Sequence, residues 1–292
     1  MRSSFGACEG GGDSVSIFLG LMSAVVWGAG DFTGGIASRK TGAFRVVFFG
    51  EIVGILALLI VALSSRESLP DSTSMFKAAL AGALGSLGLV LLYHALSTGS
   101  MSIAAPVSAL AAGVLPVVVG SFTEGLPGGL TLMGFAFALM AIWFVSQNQE
   151  TPRNLLSHIS DLRLPLLAGV GFGCYFVIMH AAAQDSTWWP MVISRAGGIA
   201  IIGFVIWMRR EQLRVKRDAW GVIGLNGVLD VGGNTFYILA GQIGRMDVSA
   251  VLSSLYPGVT VILAGLLLKE RLSRTQWLGI ALALIAIVLF TI

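Results

Sequence analysis

The sequence predicts an all-α polytopic membrane protein: ten transmembrane helices in two five-helix repeats of opposite orientation. Three observations carry this expectation. Apolar residues make up 55% of the 292 positions and charged residues only 11%, with a mean hydropathy of +0.86. The apolar residues fall in continuous runs long enough to cross a bilayer, which takes about 20 residues for about 30 Å of hydrocarbon. The second half of the chain also repeats the first at an offset of about 145 residues.

A soluble domain carries about 25% charged residues, so this chain lacks the charge to coat a soluble globule. That excludes a soluble enzyme, a nucleic-acid binder and a disordered chain. The net charge is only +3, and its placement follows the loops, so it does not point to nucleic acid. The two cysteines, Cys8 and Cys174, form no disulfide framework or metal pattern. No cofactor and no bound metal are expected.

The ten runs cover about 15–38, 43–64, 75–97, 101–122, 128–146, 164–183, 188–208, 218–242, 246–268 and 275–292. They are continuously apolar instead of alternating, which indicates helices and not barrel strands. Residues 1–14 form a polar tail without the apolar core of a signal peptide, so the first span is expected to be retained. The longest connection, 147–163, divides a first repeat at 15–146 from a second at 164–292.

Basic residues set the expected orientation. The loops after spans one, five, seven and nine hold Arg39, Lys40, Arg45, Arg153, Arg163, Arg209, Arg210, Arg214, Lys216, Arg217, Lys269, Arg271 and Arg274. The opposite side holds Arg2, Arg66, Lys77 and Arg245. Odd-numbered loops are therefore expected in the cytoplasm, with both termini outside, in a cell (plasma or inner) membrane.

The repeat pairs Gly28 with Gly173, Gly82 with Gly227, Ser108 with Ser253 and Gly134 with Gly279. The register holds from span one to span five, with one slip, since Glu124 matches Glu270. Five spans per half is an odd number, so the halves enter the membrane in opposite senses. Inverted repeats are a mark of secondary transporters, with the solute site near the midplane between the halves.

The segment Trp27-Gly28-Ala29-Gly30-Asp31-Phe32, followed by Gly34-Gly35 and Ala37-Ser38-Arg39, resembles span one of EamA-type transporters of the drug/metabolite transporter (DMT) superfamily. Ser254-Leu255-Tyr256-Pro257-Gly258-Val259-Thr260 is similar to that family's span nine. Leu268-Lys269-Glu270-Arg271-Leu272 and Gln276-Trp277-Leu278-Gly279 are similar to its following loop and the start of span ten. Thr123-Glu124-Gly125-Leu126 is a degraded copy of that loop, and Lys269 replaces its glycine. The resemblance implies the EamA/DMT fold and export or import of small metabolites through a central cavity; export is the direction expected for this chain. Family members are often drawn with both termini in the cytoplasm, whereas the charge count here places them outside.

Each ionisable residue inside the membrane costs at least about 2.5–3.5 kcal/mol on insertion scales and so needs a reason. Four stand out. Asp31 and Glu51 lie some 10–12 Å in from one face at 1.5 Å per residue, Arg195 lies near the other face, and Asp230 lies close to the midplane. The carboxylates are candidate proton or cation sites and Arg195 a candidate anion anchor. The alternative is a structural ion pair, Arg195 with Asp230 or Glu51. Asn234 is one turn from Asp230 and shares its face. Trp27, Tyr175 and Tyr256 lie deep enough to stack on a solute or to pack. Pro106 and Pro116 in span four and Pro257 in span nine are candidate kinks in corresponding helices. Trp188 and Trp189 fit an interfacial aromatic belt. His94 and His180, near span ends, fit satisfied interface residues.

The expected activity is secondary active transport of a small organic metabolite or drug, coupled to H+ or Na+, by a monomer or homodimer in the lipid bilayer. It is not expected to be an enzyme. Gly28-Ala29-Gly30-Asp31 also reads as the Gly-x-Gly-Asp of intramembrane aspartyl proteases, with Asp230 as the second carboxylate, and a non-transporting scaffold is a further alternative. An ion channel needs a filter loop or a symmetric ring, which no segment here supplies.

Overall fold

The computed structural model describes residues 9–98, 101–145, 159–267 and 273–291. They form eleven α-helices: α1 (Glu9–Thr41), α2 (Ala43–Ser65), α3 (Ser72–Thr98), α4 (Met101–Thr123), α5 (Gly129–Val145), α6 (Ile159–Ala182), α7 (Trp188–Arg209), α8 (Trp220–Ile243), α9 (Met246–Ser253), α10 (Tyr256–Leu267) and α11 (Arg274–Thr291). A short 3-10 turn, Arg217–Ala219, leads into α8. No strand occurs among the described residues.

Among the described residues, seven stretches are long and apolar enough to cross a membrane: α1, α2, α3, α6, α7, α8 and the run Met246–Leu267 that contains α9 and α10. Shorter apolar helices cover Val107–Thr123, Gly129–Phe144 and Arg274–Ala286. Large apolar side chains face outward along them, with Phe122 87% and Ile60 71% exposed. Exposed apolar surface on this scale is stable only against lipid. Some hydroxyls inside the bundle return to their own helix: Thr33 donates to the Ala29 carbonyl at 3.0 Å and Thr235 to that of Val231 at 2.8 Å. Such back-bonding satisfies polar groups where water is absent.

Gly42, with φ 86°, is the single residue between α1 and α2. That left-handed conformation is open to glycine and strained for most other residues. The helices then pack mostly across the two halves. α1 lies on α8, and α3 on α6. α3 also touches α7, and α2 touches α8. α4 packs on α6, while α1 packs on α9 and α10. α2 meets α7, and α5 meets α11. Exchanging the helices of each half for their counterparts in the other maps this set of neighbours onto itself. Close crossings depend on small residues. At the α3–α7 crossing, a Cβ on Gly82 would collide with the Ser194 backbone and one on Gly197 with the Ala79 backbone.

Span nine and its first-half counterpart differ at their prolines. Span nine is two helices, broken at Ser254–Leu255. Pro257 has no N–H, so the Ser253 carbonyl loses its helical donor, and the residue before a proline disfavours the helical region. Pro257 instead sits in the first turn of α10, where a missing N–H costs nothing. The first-half counterpart, α4, runs unbroken through Pro106 and Pro116. A buried helix tolerates a proline when neighbours re-satisfy the freed groups. The motif Leu268–Leu272 and most of the 147–163 connection lie outside the described residues.

Candidate functional site

The helices that cross between the halves line a partly open cavity. α1 contributes Trp27 and Asp31, α2 contributes Glu51, and α3 contributes Ser86 and Leu89. α6 contributes Phe172, Tyr175 and Phe176, and α7 contributes Ser194 and Arg195. α8 contributes Asp230 and Asn234, and α10 contributes Tyr256. Thus Asp31, Glu51, Arg195, Asp230, Asn234, Trp27, Tyr175 and Tyr256, scattered over six helices, line one hollow.

Arg195 is the hub of the charges. Its Nη1 donates to Glu51 Oε2 at 3.0 Å and pairs with Asp230 Oδ2. All three side chains are nearly enclosed: Arg195 is 8%, Glu51 5% and Asp230 16% exposed. Ser86 Oγ donates to the other Glu51 oxygen at 2.6 Å. Depth counting puts Glu51 and Arg195 toward opposite faces, yet they touch. The count locates backbones, and the long arginine stem carries its guanidinium on to the carboxylate. Gly198 makes room for the cluster, since a Cβ there would strike Ser86 Oγ.

Asp31 is different. It is 8% exposed, it opens onto the cavity, and no hydrogen bond or ion pair reaches its carboxylate among the described residues. Asn234 turns its amide inward, donating to the Asp230 carbonyl at 2.7 Å. The Tyr256 hydroxyl pairs with Ser108 Oγ at 2.9 Å.

Trp27 lies in an aromatic stack. Its ring is 5.5 Å from Phe176 and 6.0 Å from Tyr237, at 26° and 28°. Phe176 and Tyr237 are 4.7 Å apart, and the Tyr237 hydroxyl is anchored on the Phe176 carbonyl at 2.9 Å. A Cβ on Gly233 would strike the indole, so that glycine admits the tryptophan.

Several of these residues escape the sequence reading. Asn226 donates to the Gly30 carbonyl at 2.8 Å and to the Tyr93 hydroxyl at 2.9 Å, tying α8 to α1 and α3 beside Asp31. Its spacing of four from Asp230 and eight from Asn234 marks a polar stripe on one face. Ser86, Phe176 and Tyr237 carry no such signal in a chain rich in Ser and aromatics.

Trp188, Trp189 and His180 lie at one end of the bundle, away from the cavity, and His94 lies near the C-terminal end of α3, toward the opposite end. Trp188 and Trp189 bond to Glu67 through a backbone N–H and an indole N–H, each at 3.0 Å. His180 lies 4.0 Å from Glu124, and His94 is exposed. Arg245 grips Asp247 at 2.8 Å and reaches the Gly125 carbonyl at 2.9 Å. Burial holds the Glu124 carboxyl above its ordinary range, while the Asp247 hydrogen bond raises the Arg245 guanidinium.

The family model for EamA-like transporters matches residues 14–149 and 162–292. The chain belongs to the EamA-like transporter family. It is accordingly a multi-pass membrane protein of a transporter family, whose partners are a lipid bilayer and a small-molecule solute. A putative sugar uptake protein of Listeria monocytogenes is 21% identical over 281 residues, covering 94% of this chain and 96% of that protein. An uncharacterized transporter of Bacillus subtilis is 25% identical over 138 residues, 47% of this chain and 45% of its own length. An uncharacterized protein of Methanocaldococcus jannaschii is 34% identical over 96 residues, 32% of this chain and 69% of its own. A solved crystal structure matches with a TM-score of 0.77 over 97% of this chain and 98% of its own, at 14% identity, which shows the fold.

The family and the transporter-named relatives point to a transporter instead of an enzyme, and Asp230, the second carboxylate of the protease alternative, is paired with Arg195.

Proposed function

We propose that this EamA-family chain is a secondary transporter that carries a small organic solute in the central cavity by alternating access. The carrying observation is the unpartnered, buried Asp31 on the wall of a cavity built from both halves. A static scaffold has little use for a carboxylate that opens on a cavity without a protein partner, whereas a carrier needs a group that binds and releases.

In this reading the chain crosses the membrane ten times, as inverted repeats at 15–146 and 164–292. The neighbour set that survives exchange of the halves supports that arrangement, as does the offset in the sequence. The break before Pro257 frees backbone beside the cavity, as interrupted helices do in transporters. Asp31 is the coupling group, for H+ or Na+. The Glu51–Arg195–Asp230 triad ties α2, α7 and α8, so it fixes the wall instead of coordinating the solute. Odd-numbered loops face the cytoplasm, and net movement is outward.

The test is flux into proteoliposomes under an imposed pH or Na+ gradient, with a panel of amines, organic acids and sugars. Sugars enter because the Listeria relative is named for sugar uptake. Gradient-dependent flux of at least one solute, uncoupled by Asp31→Asn, is expected. Flux whose coupling is untouched by Asp31→Asn would remove Asp31 from the mechanism. The absence of any carrier-mediated flux would remove the transport reading.

A further inference from the structure

We propose that the solute held in this cavity is an organic cation with an apolar or aromatic body, its positive charge seated on Asp31. The inference rests on the transport reading above and specifies its ligand.

In the sequence, Arg195 points to an anion and the carboxylates to a cation. The structure arbitrates. One guanidinium faces both Glu51 and Asp230, so the anion anchor is already occupied. Two carboxylates on one cation leave the triad negative. Asp31 adds a third carboxylate with no partner. An anionic solute would meet repulsion from the cluster in a medium of low dielectric, where charges act strongly. A cationic solute completes the missing charge, and a buried charge is stable only when it is paired.

The rest of the wall fits the body of such a solute. Trp27 and Tyr175 line the cavity beside the carboxylates. Aromatic faces attract cations, and indole does so best. The Trp27 ring is held by its stack on Phe176 and Tyr237, so it is pre-oriented. Two of the polar groups on the wall already serve protein acceptors: Ser86 donates to Glu51 and Asn234 to a backbone carbonyl. A polyol would leave hydroxyls unmatched against aromatic carbon, and unmatched buried polar groups are costly.

The experiment uses the purified full chain in detergent and four probes: phenethyltrimethylammonium, 2-phenylethanol, phenylacetate and glucose. Binding is read by titration calorimetry. The cation is expected to bind at least about tenfold more tightly than the other three, a difference of about 1.4 kcal/mol. Asp31→Asn is expected to erase that preference and Asp31→Glu to keep it. The amide matches the carboxylate in shape, and Asp31 has no protein partner to lose. Should the variant fail to fold, the ranking of the four probes on the natural chain still decides. Equal or tighter binding of phenylacetate or glucose overturns the proposal, as does cation binding that Asp31→Asn leaves unchanged, or no cation binding at millimolar concentration. Counterflow in proteoliposomes separates the two readings. Glucose or phenylacetate flux that Trp27→Ala abolishes would refute the cation and keep the carrier. Cation binding at Asp31 without flux would refute the carrier and keep the site.

Discussion

Replacing Arg195 by Gln tests whether the triad is the electrostatic hub of the fold. The guanidinium holds Glu51 at 3.0 Å and also pairs with Asp230, and the two carboxylates are only 5% and 16% exposed. Removing the cation strands two enclosed acids, and breaking a buried ion pair from one side costs about 3–5 kcal/mol. At roughly 2–4 °C per kcal/mol, the thermal midpoint should fall on the order of 10 °C, measured by intrinsic fluorescence at one fixed scan rate in one detergent. The decisive arm is compensation. Adding Glu51→Gln and Asp230→Asn removes the stranded charges and leaves amides that can bond one another, with Ser86 still donating to position 51. The triple variant should recover most of the loss, giving a strongly favourable coupling among sites in contact. A single variant that melts within about 2 °C of the natural chain, or a triple variant no better than the single one, would refute the claim that the pairing is ionic and central.

Smaller perturbations probe the packing around the triad. Gly82→Ala should cost about 1–3 kcal/mol or more, since its Cβ would meet the Ser194 backbone, whereas Gly221→Ala, with open space around it, should be close to neutral; paired melting curves decide. Asn226→Ala removes bonds to the Gly30 carbonyl and the Tyr93 hydroxyl and should cost about 1–3 kcal/mol, again as a lower melting midpoint. Glu67→Ala removes the acceptor of Ser186, Thr187 and Trp188 at the start of α7; hydrogen exchange over 186–190 should rise while the helix middle stays protected, and unchanged exchange there would show that the carboxylate does not hold this end.

Helix positions were legible because the bilayer imposes a length on an apolar run: helix covers most of every run that the sequence marked, and seven stretches among the described residues are long and apolar enough to cross a membrane. Neighbours were less legible. Lipid is as apolar as leucine, so helix pairing follows small residues and shape instead of hydrophobic pattern. Gly82 and Gly197 look like any of the 38 glycines until the α3–α7 crossing is seen. The charged residues that line the cavity were flagged by the cost of charge in hydrocarbon, which picks out Asp31, Glu51, Arg195 and Asp230 one at a time. That criterion is blind to who meets whom, and so it set Glu51 and Arg195 at different depths. Serine and tyrosine incur a smaller cost, so Ser86 and Tyr93 raised no flag. Asn226 could have been caught from its stripe with Asp230 and Asn234.

The arrangement of charges separates two jobs that the sequence left merged. A group bound on every side holds structure and is slow to let go, because each partner would be stranded on release. Arg195, Glu51 and Asp230 are such groups, joined across α2, α7 and α8. A group that must exchange ligands works only while its protein neighbours leave it unsatisfied, and Asp31 has that character. Neutralising Asp31 should therefore alter binding with little loss of stability, and neutralising Arg195 should do the reverse. Asp31→Asn that unfolds the chain, beside Arg195→Gln that only weakens binding, would invert the assignment.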